Sequence, residues 1–231
     1  EGGGKILKSD REMFGEYCFP VEPVHEEKII FQNLSEYENV DSQGFRGDIY
    51  VKEAVIPEGA SVIPKSQFFG CRSLEKVCLP ESVSVIEDYA FADCNVLKVW
   101  ESMEKLSLKS VGISAFENCY ALEFISLPDS LTVIEGAAFA ECVSVNKLIF
   151  SDTSLLKKIG DHAFCGCRNL KEVYLPDSVE YVGISAFRDC VSLEQISVSE
   201  KIKDQPGIAE LEKNCPNARI RFREVDSVEK E

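Results

Sequence analysis

Apolar residues recur in this chain at fixed distances from a phenylalanine, and the positions between them are mostly polar or variable. The phenylalanines are Phe45, Phe68, Phe91, Phe116, Phe139, Phe164 and Phe187, spaced 23, 23, 25, 23, 25 and 23 residues apart. A small residue precedes each of them except Phe68, which follows Gln67. Three residues after each comes Asp48, Cys71, Cys94, Cys119, Cys142, Cys167 or Cys190. Five residues before each Phe stands Val40, Ile63, Ile86, Val111, Ile134, Ile159 or Val182. Six residues after each Cys or Asp stands Ala54, Val77, Trp100, Ile125, Leu148, Val173 or Ile196. Self-similarity at such a period marks a solenoid. One unit cannot bury this many apolar groups alone, so successive coils must stack and bury them against each other.

Each coil is predicted to hold one strand. Lys76-Val77-Cys78-Leu79, Phe124-Ile125-Ser126-Leu127 and Glu172-Val173-Tyr174-Leu175 are short and rich in β-branched or aromatic residues. Pro57, Pro80, Pro128 and Pro176 follow such segments and end them, because proline lacks the N–H a ladder needs. The return limb runs through the Val and Ile positions. The Ala-Phe segment is then predicted as one helical or 3₁₀ turn. Strands about 4.8 Å apart in roughly eight coils give a curved rod about 40 Å long.

The ends depart from the repeat. Residues 1–35 are expected to form an N-terminal cap or divergent first unit, with Lys28-Ile29-Ile30-Phe31 as a first strand over the open end of the core. Residues 36–200 form the array. Residues 201–231 form a C-terminal cap: a helix over Pro206–Asn214, a last strand Arg219–Phe222 and a charged, frayed tail from Glu224. Cys215 lies 25 residues after Cys190, so the register persists into the cap. Two-residue insertions in Glu101–Lys109 and near Ser151–Lys157 should bulge on one flank.

The pattern L-x-x-I-x-L-P-x-S-V-x-x-I-x-x-x-A-F-x-x-C resembles the leucine-rich repeats of the Treponema type, found in BspA-like bacterial surface proteins. Leu122, Ile125, Leu127, Pro128, Ser130, Leu131, Ile134, Ala138, Phe139 and Cys142 carry it in one unit, and it recurs over about residues 37–200. The resemblance implies an α/β-type repeat solenoid. Its coil is right-handed, with one parallel sheet face, short strands or 3₁₀ turns opposite, and few true helices. More loosely, it implies adhesion or protein binding outside the cell.

Composition narrows the partners. The formal net charge is −15, from 40 Asp and Glu against 25 Lys and Arg. Such a chain lacks the clustered basic residues that nucleic acid or anionic membranes select. No apolar run approaches the length of a membrane-spanning helix, so no direct membrane insertion is expected. The chain begins Glu1-Gly2-Gly3-Gly4 without a recognisable signal peptide, as after removal of a signal or anchor segment.

Ten cysteines would ordinarily suggest disulfides. Stacked coils instead set the ladder Cβ atoms parallel and too far apart for the roughly 3.8 Å a bridge requires. Cys71, Cys94, Cys119, Cys142, Cys167 and Cys190 therefore read as buried free thiols, and Asp48 in the same register agrees. Cys165-Gly166-Cys167 resembles half a metal site, but zinc needs four ligands and no second pair faces it. His25 and His162 have no nucleophile placed to complete a triad. Asp93, Asn118 and Asp189 before ladder cysteines read as turn formers. Gly112, Gly136, Gly160 and Gly183 fall in turns rather than in a phosphate loop. No catalytic residue, cofactor or metal is assigned.

One arrangement carries functional content. Side chains alternate faces along a strand, so one outward row reads Glu53, Lys76, Val99, Phe124, Lys147, Glu172, Gln195. The next reads Val55, Cys78, Glu101, Ser126, Ile149, Tyr174, Ser197. Trp100, between them, points to the core. Phe124, Ile149 and Tyr174, with Lys147, Glu172 and Val99, form the expected protein-binding face, since an exposed apolar cluster rimmed by charge marks contact sites. Strand propensity alone also favours such residues. The expected function is a non-enzymatic protein-binding solenoid, secreted or on a bacterial surface, with a host or extracellular-matrix protein as partner. The alternative is a structural spacer or interaction module of a larger assembly.

Overall fold

The computed structural model describes residues 27–40, 44–100 and 105–224, with only the backbone described at Val99 and Trp100. Strands are numbered along the chain. The front face carries β1 (Lys28–Ile30), β2 (Glu53–Val55), β4 (Lys76–Cys78), β6 (Val99–Trp100), β8 (Phe124–Ser126), β10 (Lys147–Ile149), β12 (Glu172–Tyr174), β14 (Gln195–Ser199) and β15 (Arg219–Arg223). The return limb carries β3 (Val62–Ile63), β5 (Val85–Ile86), β7 (Ser110–Val111), β9 (Val133–Ile134), β11 (Lys158–Ile159) and β13 (Tyr181–Val182). The architecture is the expected parallel solenoid of about eight coils, with few helices. Every pairing is parallel and joins positions one repeat apart, as in Glu53↔Lys76 and Lys158↔Tyr181. The return strands form one continuous six-stranded sheet. Among the described residues the front strands form two sheets, β1-β2-β4-β6 and β8-β10-β12-β14-β15, which part at the first insertion.

The apolar positions fill the space between these faces. The rings of Phe45, Phe68, Phe91, Phe116, Phe139, Phe164 and Phe187 stack with centroids 5.1–5.5 Å apart and planes within 13°. Around them Ile63, Ile86, Leu97, Leu122, Ile134 and Leu170 are fully buried.

The Ala-Phe segment differs from its expectation of a helical or 3₁₀ turn. It is a pair of consecutive turns bounded by residues with positive φ, such as Tyr89 at 58° and Asp93 at 61°. Alternate amides point in and out. Ala90, Ala92 and Cys94 N–H bond within their own coil, to Glu87, Tyr89 and Phe91 carbonyls. Tyr89, Phe91 and Asp93 N–H instead reach Ile113, Ala115 and Glu117 carbonyls of the next coil, at 2.8–2.9 Å. A helix would spend all its amides internally. The left-handed residues turn every second one outward, and the corner becomes a third hydrogen-bonded ladder.

The ends are closed by other means. β1 pairs with β2 as expected, and Ile29 and Phe31 are buried. Helix α1 (Leu34–Glu38) starts at Asn33, whose Oδ1 accepts the Glu36 N–H at 2.9 Å. Phe31 sits edge-on to both Tyr37 and Phe45. At the other end the expected single helix is two, α2 (Pro206–Ala209) and α3 (Leu211–Asn214), which meet at Glu210. The Glu210 carboxylate turns to Ser185 and Asn214. Ile208 and Leu211 cover the core. At the second insertion the Ser151 and Thr153 hydroxyls both donate to the Asp129 carboxylate, which holds it below the usual carboxylate range. At the first insertion Leu106 and Leu108 are buried. The expectations for residues 1–26, including His25 and Cys18, for the side chains of Val99 and Trp100, for Glu101, and for the tail beyond Glu224 lie outside the described residues.

Candidate functional site

The front strands present alternate side chains to solvent, because the strand periodicity of two fixes Ile125, Leu148 and Val173 inward. Register then aligns the outward rows across coils. Phe124, Lys147, Glu172, Gln195 and Arg219 form one line. Ser126 lies opposite Ile149, and Tyr174, Ser197 and Arg221 continue the second line; Ser197, expected to face solvent, is instead buried, and its Oγ accepts from Arg223. Phe124 is 45% exposed, Ile149 36% and Tyr174 50%, so all three expected apolar residues face solvent. Lys147 stands between Phe124 and Glu172 in its row. The Tyr174 hydroxyl donates to Glu172 at 3.3 Å and accepts from Gln195 Nε2 at 3.0 Å, which fixes the ring on the face. Val99 belongs to the other front sheet, where it pairs with Lys76. A polar recess of about 290 Å³, lined by Glu172, Glu194, Gln195, Asn217 and Arg219, extends the face toward the C-terminal end. Sequence reasoning misses that end: Arg219 and Arg221 are exposed there beside exposed Phe222. The alternation Arg219-Ile220-Arg221-Phe222-Arg223 is the signal that could have found it.

The ladder cysteines are packing residues of the core. Each ladder thiol donates to the Phe carbonyl of the preceding coil: Cys71 to Phe45 at 3.0 Å, Cys119 to Phe91 at 3.3 Å, Cys190 to Phe164 at 3.3 Å. They are free thiols, fully buried, and Cys215 repeats the contact on Phe187 at 3.0 Å. Burial pushes the Cys71 thiol up to about 12 and the Cys215 thiol up to about 11. A raised thiol is a poor nucleophile and a poor metal ligand at neutral pH. Asp48 takes the rung in the first unit and accepts the Tyr50 and Val51 N–H groups of its own coil. Cys167 faces the ladder and Cys165 lies on the outer turn, half-buried. Among the described residues no group of three or more His, Cys, Asp or Glu could hold a metal ion. His162 is exposed at a left-handed turn position. Asp93, Asn118 and Asp189 all have φ near 60°, as turn formers do. Among the described residues no helix is long and apolar enough to cross a membrane.

The profile of the BspA type leucine rich repeat region matches six copies, over residues 12–131 and 101–209. Among solved structures, a leucine-rich repeat protein of T. pallidum is 28% identical, with a TM-score of 0.50 over 74% of this chain and 69% of that one. A leucine-rich repeat protein of Bacteroides ovatus is 23% identical, with a TM-score of 0.55 over 80% of this chain and 64% of that one. The pneumococcal vaccine antigen PcpA is 28% identical, with a TM-score of 0.50 over 66% of this chain. This chain spans only 37% of that antigen's length. No protein of curated function matches.

Proposed function

The chain belongs to the BspA-type leucine-rich repeat family, and from that premise we propose that it is a non-enzymatic protein-binding solenoid, secreted or displayed on a bacterial surface, that acts in adhesion. The observation that carries the reading is the exposure of Phe124, Ile149 and Tyr174 on one rigid sheet, with Lys147 and Glu172 beside them. A sheet holds such residues in place before binding, so little side-chain entropy is lost on contact. Aromatic anchors of this kind dominate interface energies. The family resemblance and the likeness to a pneumococcal vaccine antigen support an extracellular setting.

The partner proposed is a host or extracellular-matrix protein. Immobilised matrix proteins titrated with the purified chain test it. Phe124→Ala/Tyr174→Ala should weaken binding at least tenfold without changing the melting temperature. Equal affinity of the double variant would remove the face from the proposal. Failure of the wild-type chain to bind any matrix protein would remove the partner class.

A further inference from the structure

Among the described residues the front face ends at its C-terminal side on an open strand edge. β15 is the last strand of its sheet, and among the described residues no strand pairs with its outer side. Its core-facing residues Ile220 and Phe222 stand in register with Ile196 and Val198, which β15 itself helps to bury. Among the described residues nothing equivalent covers β15, and Phe222 is 45% exposed. On the solvent side Arg219 and Arg221 are exposed, and each ends its row. Elsewhere charges answer each other across coils: Lys28 meets Glu53 at 2.9 Å and Lys98 meets Glu75 at 3.3 Å. The coil that would answer Arg219 and Arg221 is missing from the described residues. The edge is nevertheless held firmly. Arg223 donates to Ser197 Oγ at 3.0 Å, to Asp177 at 2.7 Å and to the Leu175 carbonyl, which ties β15 across β14.

We propose that this edge receives an extended segment of a partner polypeptide as an added strand, with acidic residues at alternate positions and apolar residues between. The acids would answer Arg219 and Arg221, and the apolar residues would cover Ile220 and Phe222. Main-chain hydrogen bonds to an exposed edge supply affinity in such strand addition, and alternate side chains supply specificity. Charge disfavours the chain's own edges as the occupant. Two-fold antiparallel pairing of β15 with itself would set arginine rows against each other. Head-to-tail stacking on β1 would bring Lys28, which stands in the same row, beside Arg219. The surface is separate from the Phe124 cluster and does not depend on it.

The probe is a fluorescein-labelled, end-blocked peptide of alternating Glu and Val, with a Lys-for-Glu counterpart, titrated into the full 231-residue chain. The acidic peptide should bind, and the basic one should not. Arg219→Glu/Arg221→Glu, both changes on solvent-facing positions, should weaken binding at least tenfold with an unchanged melting temperature. Binding should slow amide exchange at Arg219–Arg223. The Phe124→Ala/Tyr174→Ala variant should bind the peptide as the parent does, whether or not that face binds matrix proteins. Equal binding of both peptides, insensitivity to the arginine changes, or no binding at millimolar peptide would overturn the proposal. So would binding seen only after removal of residues 225–231, which would make the chain's own acidic tail the occupant. Dimerisation abolished by the arginine changes would make it a second copy.

Discussion

The Phe116 carbonyl accepts twice, from the Cys119 N–H at 3.2 Å and from the Cys142 thiol of the next coil at 3.2 Å. A carbonyl has two lone pairs, and the second would otherwise go unused in a dry core. Cysteine is small and apolar enough to be buried, and it carries a weak donor. Serine has a stronger donor but costs more to desolvate, which accounts for cysteine at six of the seven rungs. The thiols must stay neutral to donate. An unfolded thiol ionises near about 8.5, while burial raises Cys71 to about 12. The stabilisation from a raised acid is fully present below the unfolded value and is lost as pH rises from there through the folded one. Unfolding free energy should therefore be flat near pH 7 and fall steadily above pH 9. Cys71→Ala should shallow that slope when denaturant midpoints are compared from pH 7 to 10.5. A parallel slope would mean that the thiol already ionises in the folded chain. The Phe ring in each rung contributes more. Phe139 is fully buried and stacks on both Phe116 and Phe164. Phe139→Ala should cost about 3–5 kcal/mol by cavity formation, and a loss under about 1 kcal/mol in urea unfolding would contradict the stacked core.

At the scale of elements the tightest constraint is the corner where coils meet. A Cβ on Gly112 would lie 2.6 Å from both the Asp88 nitrogen and the Glu87 carbonyl carbon, which are backbone atoms of the previous coil and cannot yield. On Gly136 the nearest contact would be 3.3 Å, to the Asp161 oxygen. Gly112→Ala should therefore cost about 1–3 kcal/mol, as overpacking does, and Gly136→Ala clearly less. Equal thermal shifts for the two would show that coil spacing adjusts at this corner. The strands are legible in the sequence, because apolar positions at a period of two repeat in register and each copy confirms the others. The turns are not. Left-handed backbone at Asp93, Asn118 and Asp189 has a sequence signal, but the same conformation at Ser66, Tyr89 and Ala137 has none. It is imposed by hydrogen bonds to the neighbouring coil, a tertiary effect that local propensity does not record. The front cluster is readable from alternation alone. The β15 edge is not, since its character lies in its place at the end of the sheet among the described residues, which pairing decides and local pattern does not.

The whole molecule is a one-dimensional stack in which, apart from the reach of Arg223 across β14, coils bond to their immediate neighbours, so its cooperativity depends on the weakest junction. That junction is the first insertion, where among the described residues the front face divides between β6 and β8. Two other connections bridge it. The return sheet runs through, with Ile86 paired to Val111 and Val111 to Ile134. The Phe91 and Phe116 rings stack across it at 5.1 Å, the shortest separation in the column. A stacked aromatic pair contributes about 0.5–1.5 kcal/mol beyond its burial, and the ladder bonds of the corner continue there, from Phe91 N–H to the Ala115 carbonyl at 2.8 Å. Two of the three faces thus remain joined where the third is interrupted. The array should unfold as one unit. The sole tryptophan, Trp100, lies on β6 at the edge of the division and reports on it directly. Its fluorescence and the far-UV circular dichroism of all coils should trace superimposable urea transitions with one midpoint. A tryptophan transition that precedes the loss of ellipticity would mean that the front division separates two folding units. In that case Phe116→Ala, which removes the ring bridging them, would widen the gap between the two midpoints.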